Sequence, residues 1–183
     1  MVEALLHFAV PFASLRAMGL DWRRAILVSV IALTPDLDVL FLVHRSPSHS
    51  AVVLILVIVG LLFLSFLVPT GKRSAVRSVI MLGAVGLVTH LVLDIFGTYT
   101  PILWPLLNDS YWLSTDFQLH IGSLPSITGS LKLLSEPTVF PSFDSFEAPV
   151  LTNEGLSVSL VLLVPSMITI LRNRGLTNSQ TKP

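Results

Sequence analysis

The sequence predicts an all-α integral membrane protein, a bundle of about five transmembrane helices with the N-terminus outside and the C-terminus in the cytoplasm. Three observations carry this expectation. Only 12% of the 183 residues are charged and 52% are hydrophobic, with a mean hydropathy of +0.81; a soluble domain carries about a quarter charged residues. Apolar runs of membrane-crossing length recur along the chain. Basic residues gather at alternate ends of those runs.

The run at 51–68 is the clearest span, because it contains no charged residue and can cross roughly 30 Å of hydrocarbon with its flanks. A second span covers 25–43 and is interrupted by Thr34-Pro35-Asp36-Leu37-Asp38. The third, at 75–96, holds His90 and Asp94, and a shorter fourth at 156–171 ends on Arg172-Asn173-Arg174. Residues 3–20 form a weaker span containing His7, Pro11 and Arg16, suited to crossing or to lying in the interface. All belong to one membrane domain over 1–183, with residues 173–183 as a flexible cytoplasmic tail.

Arg23 and Arg24 precede the second span, Lys72, Arg73 and Arg77 stand between the third and fourth of the five, and Arg172, Arg174 and Lys182 follow the last. The other side holds Arg45 and Lys132 against six carboxylates. The excess of Lys and Arg puts the first set in the cytoplasm. The long stretch 97–155 then lies outside, rich in Pro, Ser and Thr. Within it Phe117, Leu119 and Ile121 alternate with Asp116, Gln118 and His120, which predicts a short strand or hairpin. Trp104, Tyr111 and Trp112 suit an interfacial belt. Glu3 and the lack of a basic leader argue against a cleavable signal peptide.

The zero net charge offers no field for nucleic acid. Without cysteine, disulfides, thiolate metal sites and thiol catalysis are all excluded. Attention therefore falls on the polar residues inside the spans. An aspartate at mid-membrane costs about 2.5 to 3.5 kcal/mol, whereas each Leu, Ile or Val contributes only about 0.3 to 0.6. By helix rise, Asp36, Asp38, His90, Asp94 and His7 all fall within about 10 Å of the outer ends of their helices. His49 stands just beyond the next span. His90 and Asp94, four residues apart, share one helix face and can chelate one ion. Asp36 and Asp38 would diverge on a regular helix, but Pro35 can break it and turn both inward. The turn His44-Arg45-Ser46-Pro47-Ser48-His49-Ser50 caps the next helix, with His49 available to a metal and Arg45 free for an anion.

Each residue alone has a simpler reading: a hydrogen-bonded pair for His90 and Asp94, an interfacial side chain for His7, a helix cap for Asp36, a surface charge for Arg45. Arg16 reads as structural and His120, near Asp116, as an exposed loop residue. Together, intramembrane carboxylates and histidines in one shallow layer point to a divalent metal held by His7, Asp36, His49, His90 and Asp94.

In their order and spacing, His7, the TPDLD at 34–38, the HRSPSHS at 44–50 and the HLVLDIFGTYTP at 90–101 resemble the YdjM-like family of membrane-bound metal-dependent hydrolases. The likeness covers about the first 105 residues and departs at Ser46-Pro47-Ser48, where the family carries Gly-x-Thr. The ligand order is also distantly similar to zinc-dependent phospholipase C and the zinc nucleases. That pattern implies one zinc held by Asp36, His49, His90 and Asp94, with Asp94 bridging to a second ion on His7. The later ligands of a trinuclear cluster have no counterpart: Thr98 and Thr100 stand where a histidine is expected, and only His120 and Asp116 follow. One or two ions are expected, zinc first, with manganese or iron also compatible with nitrogen and oxygen ligands.

The resemblance implies hydrolysis of an ester, a phosphoester or lipid headgroup, at the outer membrane face. Asp38 would act as general base or orient a ligand histidine, and Arg45 would hold a phosphate oxygen. Membrane lipid is the expected partner and substrate source, and nucleic acid is not. The competing reading is a non-catalytic membrane protein with a structural or sensory metal. A cation transporter would need carboxylates toward the cytoplasmic side, where only Ser29, Ser65 and Ser78 are polar.

Overall fold

The computed structural model describes residues 3–43, 46–121, 124–140, 142 and 152–180, with side chains as far as Leu171. Helix α1 (Ala4–Ala17) is followed by α2 (Trp22–Ala32), whose N-terminus is capped by Asp21 accepting the Arg23 N–H at 3.0 Å. Two short 3-10 helices, Pro35–Phe41 and Pro47–His49, lead into α3 (Ala51–Leu64), which Ser65–Leu67 continues as a 3-10 turn. Helix α4 (Thr70–Gly97) is the long central element, and α5 (Asn153–Gln180) closes the chain. Between them, β1 (Asp109–His120) and β2 (Ser126–Pro137) form a two-stranded antiparallel hairpin.

Among the described residues, two helices are long and apolar enough to cross a membrane, Thr70–Gly97 and Asn153–Leu171; Ala4–Ala17 and Ala51–Leu67 are apolar but shorter. The expected second span is not one helix. α2 spans about 16 Å at its helical rise and stops at Ala32, because Pro35 withholds the N–H that a further turn needs. The chain then tightens into the 3-10 helix carrying Asp36 and Asp38. Helix α4 begins at Thr70 rather than 75, so Lys72, Arg73 and Arg77 lie in its opening turns instead of a connecting loop. Arg73 donates to the Phe66 carbonyl at 2.8 Å and Arg77 to Ser65 Oγ at 3.0 Å, which ties that end of α3 to α4. The hairpin is longer than the short strand expected near 116–121, since its register runs unbroken from Asp109↔Pro137 to His120↔Ser126. The last helix runs on to Gln180, through most of the stretch expected as a tail, with no proline after Pro165 to stop it before Gln180.

α1 packs against α2, α4 and α5, and α2 packs against α4. Close approach of α2 and α4 rests on glycine. A Cβ at Gly86 would stand 2.5 Å from the Val28 carbonyl oxygen, so only a residue without one lets the backbones meet there. The first and last helices are joined by Glu3, a buried carboxylate that accepts the Thr152 N–H at 2.7 Å and the Thr152 hydroxyl. A side chain at Gly155 would overlap that carboxylate. Ser29 and Ser65 are buried with their hydroxyls donated to the Ala25 and Leu62 carbonyls.

Candidate metal centre

Four segments converge at one end of the bundle. α1 contributes His7, the Pro35–Phe41 turn contributes Asp36 and Asp38, the Pro47–His49 turn contributes His49, and α4 contributes His90 and Asp94. His7, Asp36, His90 and Asp94 each offer one ligand atom, and these atoms all lie within 4.8 Å of one another. His49 Nε2 joins them, 3.3 Å from Asp36 Oδ1 and 3.4 Å from Asp94 Oδ2. The structure thus brings together all five residues singled out as ligands.

Asp94 is the hub. Its Oδ1 lies 3.3 Å from His7 Nε2, and its Oδ2 lies 3.2 Å from His90 Nε2. Helical spacing places His90 and Asp94 on one face of α4, and the His7 ring stacks on that of His90 with centroids 4.0 Å apart. His7, His49 and His90 are buried to within 1%. The Asp36 side chain is 24% exposed against 5% for Asp94, so the cluster opens outward past Asp36.

Asp36 and Asp38 straddle His49 rather than pointing side by side into the cluster. Asp36 Oδ1 faces Nε2, whereas Asp38 Oδ2 lies 3.3 Å from Nδ1 on the opposite ring edge. The same Asp38 oxygen accepts the Ser46 N–H at 2.9 Å and the Ser48 hydroxyl at 3.3 Å. Ser48 in turn reaches the Pro35 carbonyl at 3.1 Å, which welds the two short turns together. Burial alone would lower the His49 pKa, but hydrogen bonds to Asp36 and Asp38 and the charge on Asp94 reverse this and raise it to about 9. The site favours positive charge.

These residues fit a divalent cation. Three histidines and two carboxylates form a nitrogen and oxygen donor set suited to a borderline metal. Both ring nitrogens of His7 and of His90 are buried with no hydrogen-bond partner among the described residues. A coordinated ion would satisfy one nitrogen of each ring, the Nε2 atoms that face Asp94.

Arg45, the expected phosphate-holding residue, lies outside the described residues. Thr100 is buried, pairs through its backbone with Tyr111 and donates its hydroxyl to the Thr98 carbonyl at 3.1 Å. His120 and Asp116 stand on the exposed hairpin, where His120 Nε2 meets Thr128 Oγ1 at 2.9 Å. They do not join the cluster. Sequence reasoning missed Ser46 and Ser48 as the residues that hold Asp38. Their position in a turn between two ligand segments was the available signal.

The profile described as YdjM inner membrane protein matches residues 2–164, nearly the whole chain. The chain belongs to this family. No curated protein and no solved structure matches it. Membership in the YdjM inner membrane protein family agrees with the two membrane-length helices and gives the chain a membrane setting. The matched region contains all five clustered residues and the whole hairpin.

Proposed function

We propose that this protein is a membrane-bound, zinc-dependent hydrolase of an ester, a phosphoester or lipid headgroup, working at the outer membrane face. The observation that carries the reading is the converged set His7, Asp36, His49, His90 and Asp94, buried except at Asp36. When bound, a divalent ion supplies a water of lowered pKa and a positive charge for the oxygen that gains electron density.

The chain's own residues then have distinct parts. His90 and Asp94 hold the centre from one helix face, and His7 closes it from α1. Asp38 keeps the His49 ring turned so that Nε2 faces the cluster, the arrangement by which a carboxylate orients a ligand histidine. That position, behind the ring, suits orientation better than proton abstraction. Asp36 marks the open edge where a substrate oxygen and water enter. A cavity of about 500 Å³, bounded by Thr98, Tyr99, Ser110 and Glu136, is lined by none of the five clustered residues and has no part in this reading. Arg45 would bind a phosphate oxygen.

In the membrane, the excess of Lys and Arg at the opposite end sets the N-terminus and the cluster outside. α1, α3, α4 and α5 cross, and α2 with the turn after it makes the remaining passage, giving five in all. The shallow site admits a headgroup from the membrane plane.

The test is elemental analysis of the purified full-length protein, followed by a panel of phosphoester and phospholipid substrates with and without chelator. Bound zinc with chelator-sensitive hydrolysis is the expected result. Bound metal without turnover on any substrate would favour the structural or sensory reading. Absence of any bound metal would overturn both.

A further inference from the structure

The hairpin carries a feature the metal centre does not use. Directly paired residues share a face of an antiparallel ribbon, and the register pairs Phe117 with Gly129, Leu119 with Ile127, Thr115 with Leu131 and Leu113 with Leu133. One face therefore presents Leu113, Phe117, Leu119, Ile127, Leu131 and Leu133, and from Tyr111 to Ser135 it bears no ionisable side chain except the Tyr111 phenol. The other face presents Asp116, Gln118, His120, Thr128, Ser130 and Lys132 along its outer part, with Trp112 and Leu134 paired at its base, where Trp112 meets α4. Outward of the Trp112–Leu134 pair the segregation is nearly complete, yet Phe117, Leu119, Ile127, Leu131 and Leu133 are each at least 62% exposed. Ile121 and Leu124, at the tip, are 84% exposed. The Phe117 ring lies across Gly129, where any Cβ would overlap it, so the apolar face is covered by a flat aromatic surface.

A two-stranded hairpin is at best marginally stable alone in water, and an apolar patch of this kind marks an interaction surface. Its attachment indicates what covers it. On α4, Val85, Val88, Val92 and Phe96 are exposed at spacings of one helical face, a stripe for lipid on a helix of membrane-crossing length. Phe96 ends that stripe, and its carbonyl accepts the Trp112 indole N–H at 3.2 Å. The ribbon is thus anchored where the lipid-facing stripe reaches the membrane surface.

We propose that the β1–β2 hairpin lies on the bilayer, its Leu113, Phe117, Leu119, Ile127, Leu131 and Leu133 face against the lipid and its Asp116 and Lys132 face toward water. It rests at headgroup level, because its two edges leave backbone groups that hydrocarbon cannot satisfy. The ribbon is a membrane-surface anchor beside the metal centre.

The native chain has no cysteine, so single labels report cleanly. Leu119→Cys, Leu131→Cys, Gln118→Cys and Ser130→Cys are each made in the full-length protein, labelled with an environment-sensitive fluorophore and reconstituted into phosphatidylcholine–phosphatidylglycerol vesicles. Labels at 119 and 131 should be quenched several-fold more by nitroxide-bearing lipid than labels at 118 and 130, with iodide showing the reverse order. Equal iodide quenching on both faces would overturn the proposal, because the ribbon would then stand free in solvent. So would protection of 119 and 131 from both quenchers with energy transfer that grows with protein density, because a second copy would then cover the face.

Discussion

Asp38 Oδ2 lies 3.3 Å from His49 Nδ1, on the ring edge that faces away from the cluster. A carboxylate in that position fixes the tautomer and direction of a ligand histidine. Asp38→Asn should therefore weaken metal binding by about 10- to 100-fold while leaving the helical content intact. Competition titration with a chelating dye checks this. Unchanged affinity would show that Ser48, whose hydroxyl is 3.1 Å from the same nitrogen, orients the ring unaided.

His90→Ala or Asp94→Ala should abolish bound metal, because Asp94 contacts three of the histidines that surround the centre. His120→Ala should leave metal content unchanged, as His120 is engaged with Thr128 on the hairpin. Elemental analysis of the purified variants distinguishes the two. Full metal retention in His90→Ala would refute the assignment.

The pH dependence follows from His49, whose pKa rises from an ordinary 6.5 to about 9 in the folded chain. A group whose folded value is raised contributes stability that is fully present below its unfolded pKa. In the metal-free protein that contribution is therefore complete below pH 6.5 and lost as pH climbs through about 9. Metal must displace the same proton, so apparent affinity should rise with pH up to about 9. Thermal unfolding of chelator-treated protein, beside metal titrations at several pH values, gives both curves. Opposite slopes are expected.

Gly86 sets the distance between α2 and α4, and with it the approach of Asp36 to His90. Gly86→Leu should lower stability by about 1–3 kcal/mol through overpacking and reduce metal affinity as well. Gly60→Ala meets nothing within 4 Å and should leave affinity unchanged. Melting temperature and metal content, measured on both, separate a local clash from a general loss of membrane helix quality.

Glu3 joins α1 to α5 through Thr152. Glu3→Ala should loosen this junction by leaving the part-buried Thr152 donors without their acceptor, and Gly155→Ala should mimic it by colliding with the carboxylate. Limited proteolysis near α5 in detergent reads the loosening. If neither variant is cleaved faster, the helices are held by apolar packing instead.

The membrane class, the two long spans and the residues that cluster could be read from composition and spacing, because they depend on local rules. Charge in a bilayer is costly wherever it sits, and a four-residue interval such as His90 to Asp94 specifies one helix face. Pro35 signalled a break, but not that the chain would tighten into a 3-10 helix and set Asp36 and Asp38 on opposite edges of one imidazole. That outcome depends on Ser46 and Ser48, eight to ten residues away, and on the glycine contact that draws α2 against α4. Likewise the alternation around Phe117 announced a strand, while its length and the segregation of its faces required the partner strand, since register is a property of two segments. The histidine and aspartate cluster at one end of the bundle was thus written into the residues, and the arrangement of its side chains came from contacts between elements remote in the chain.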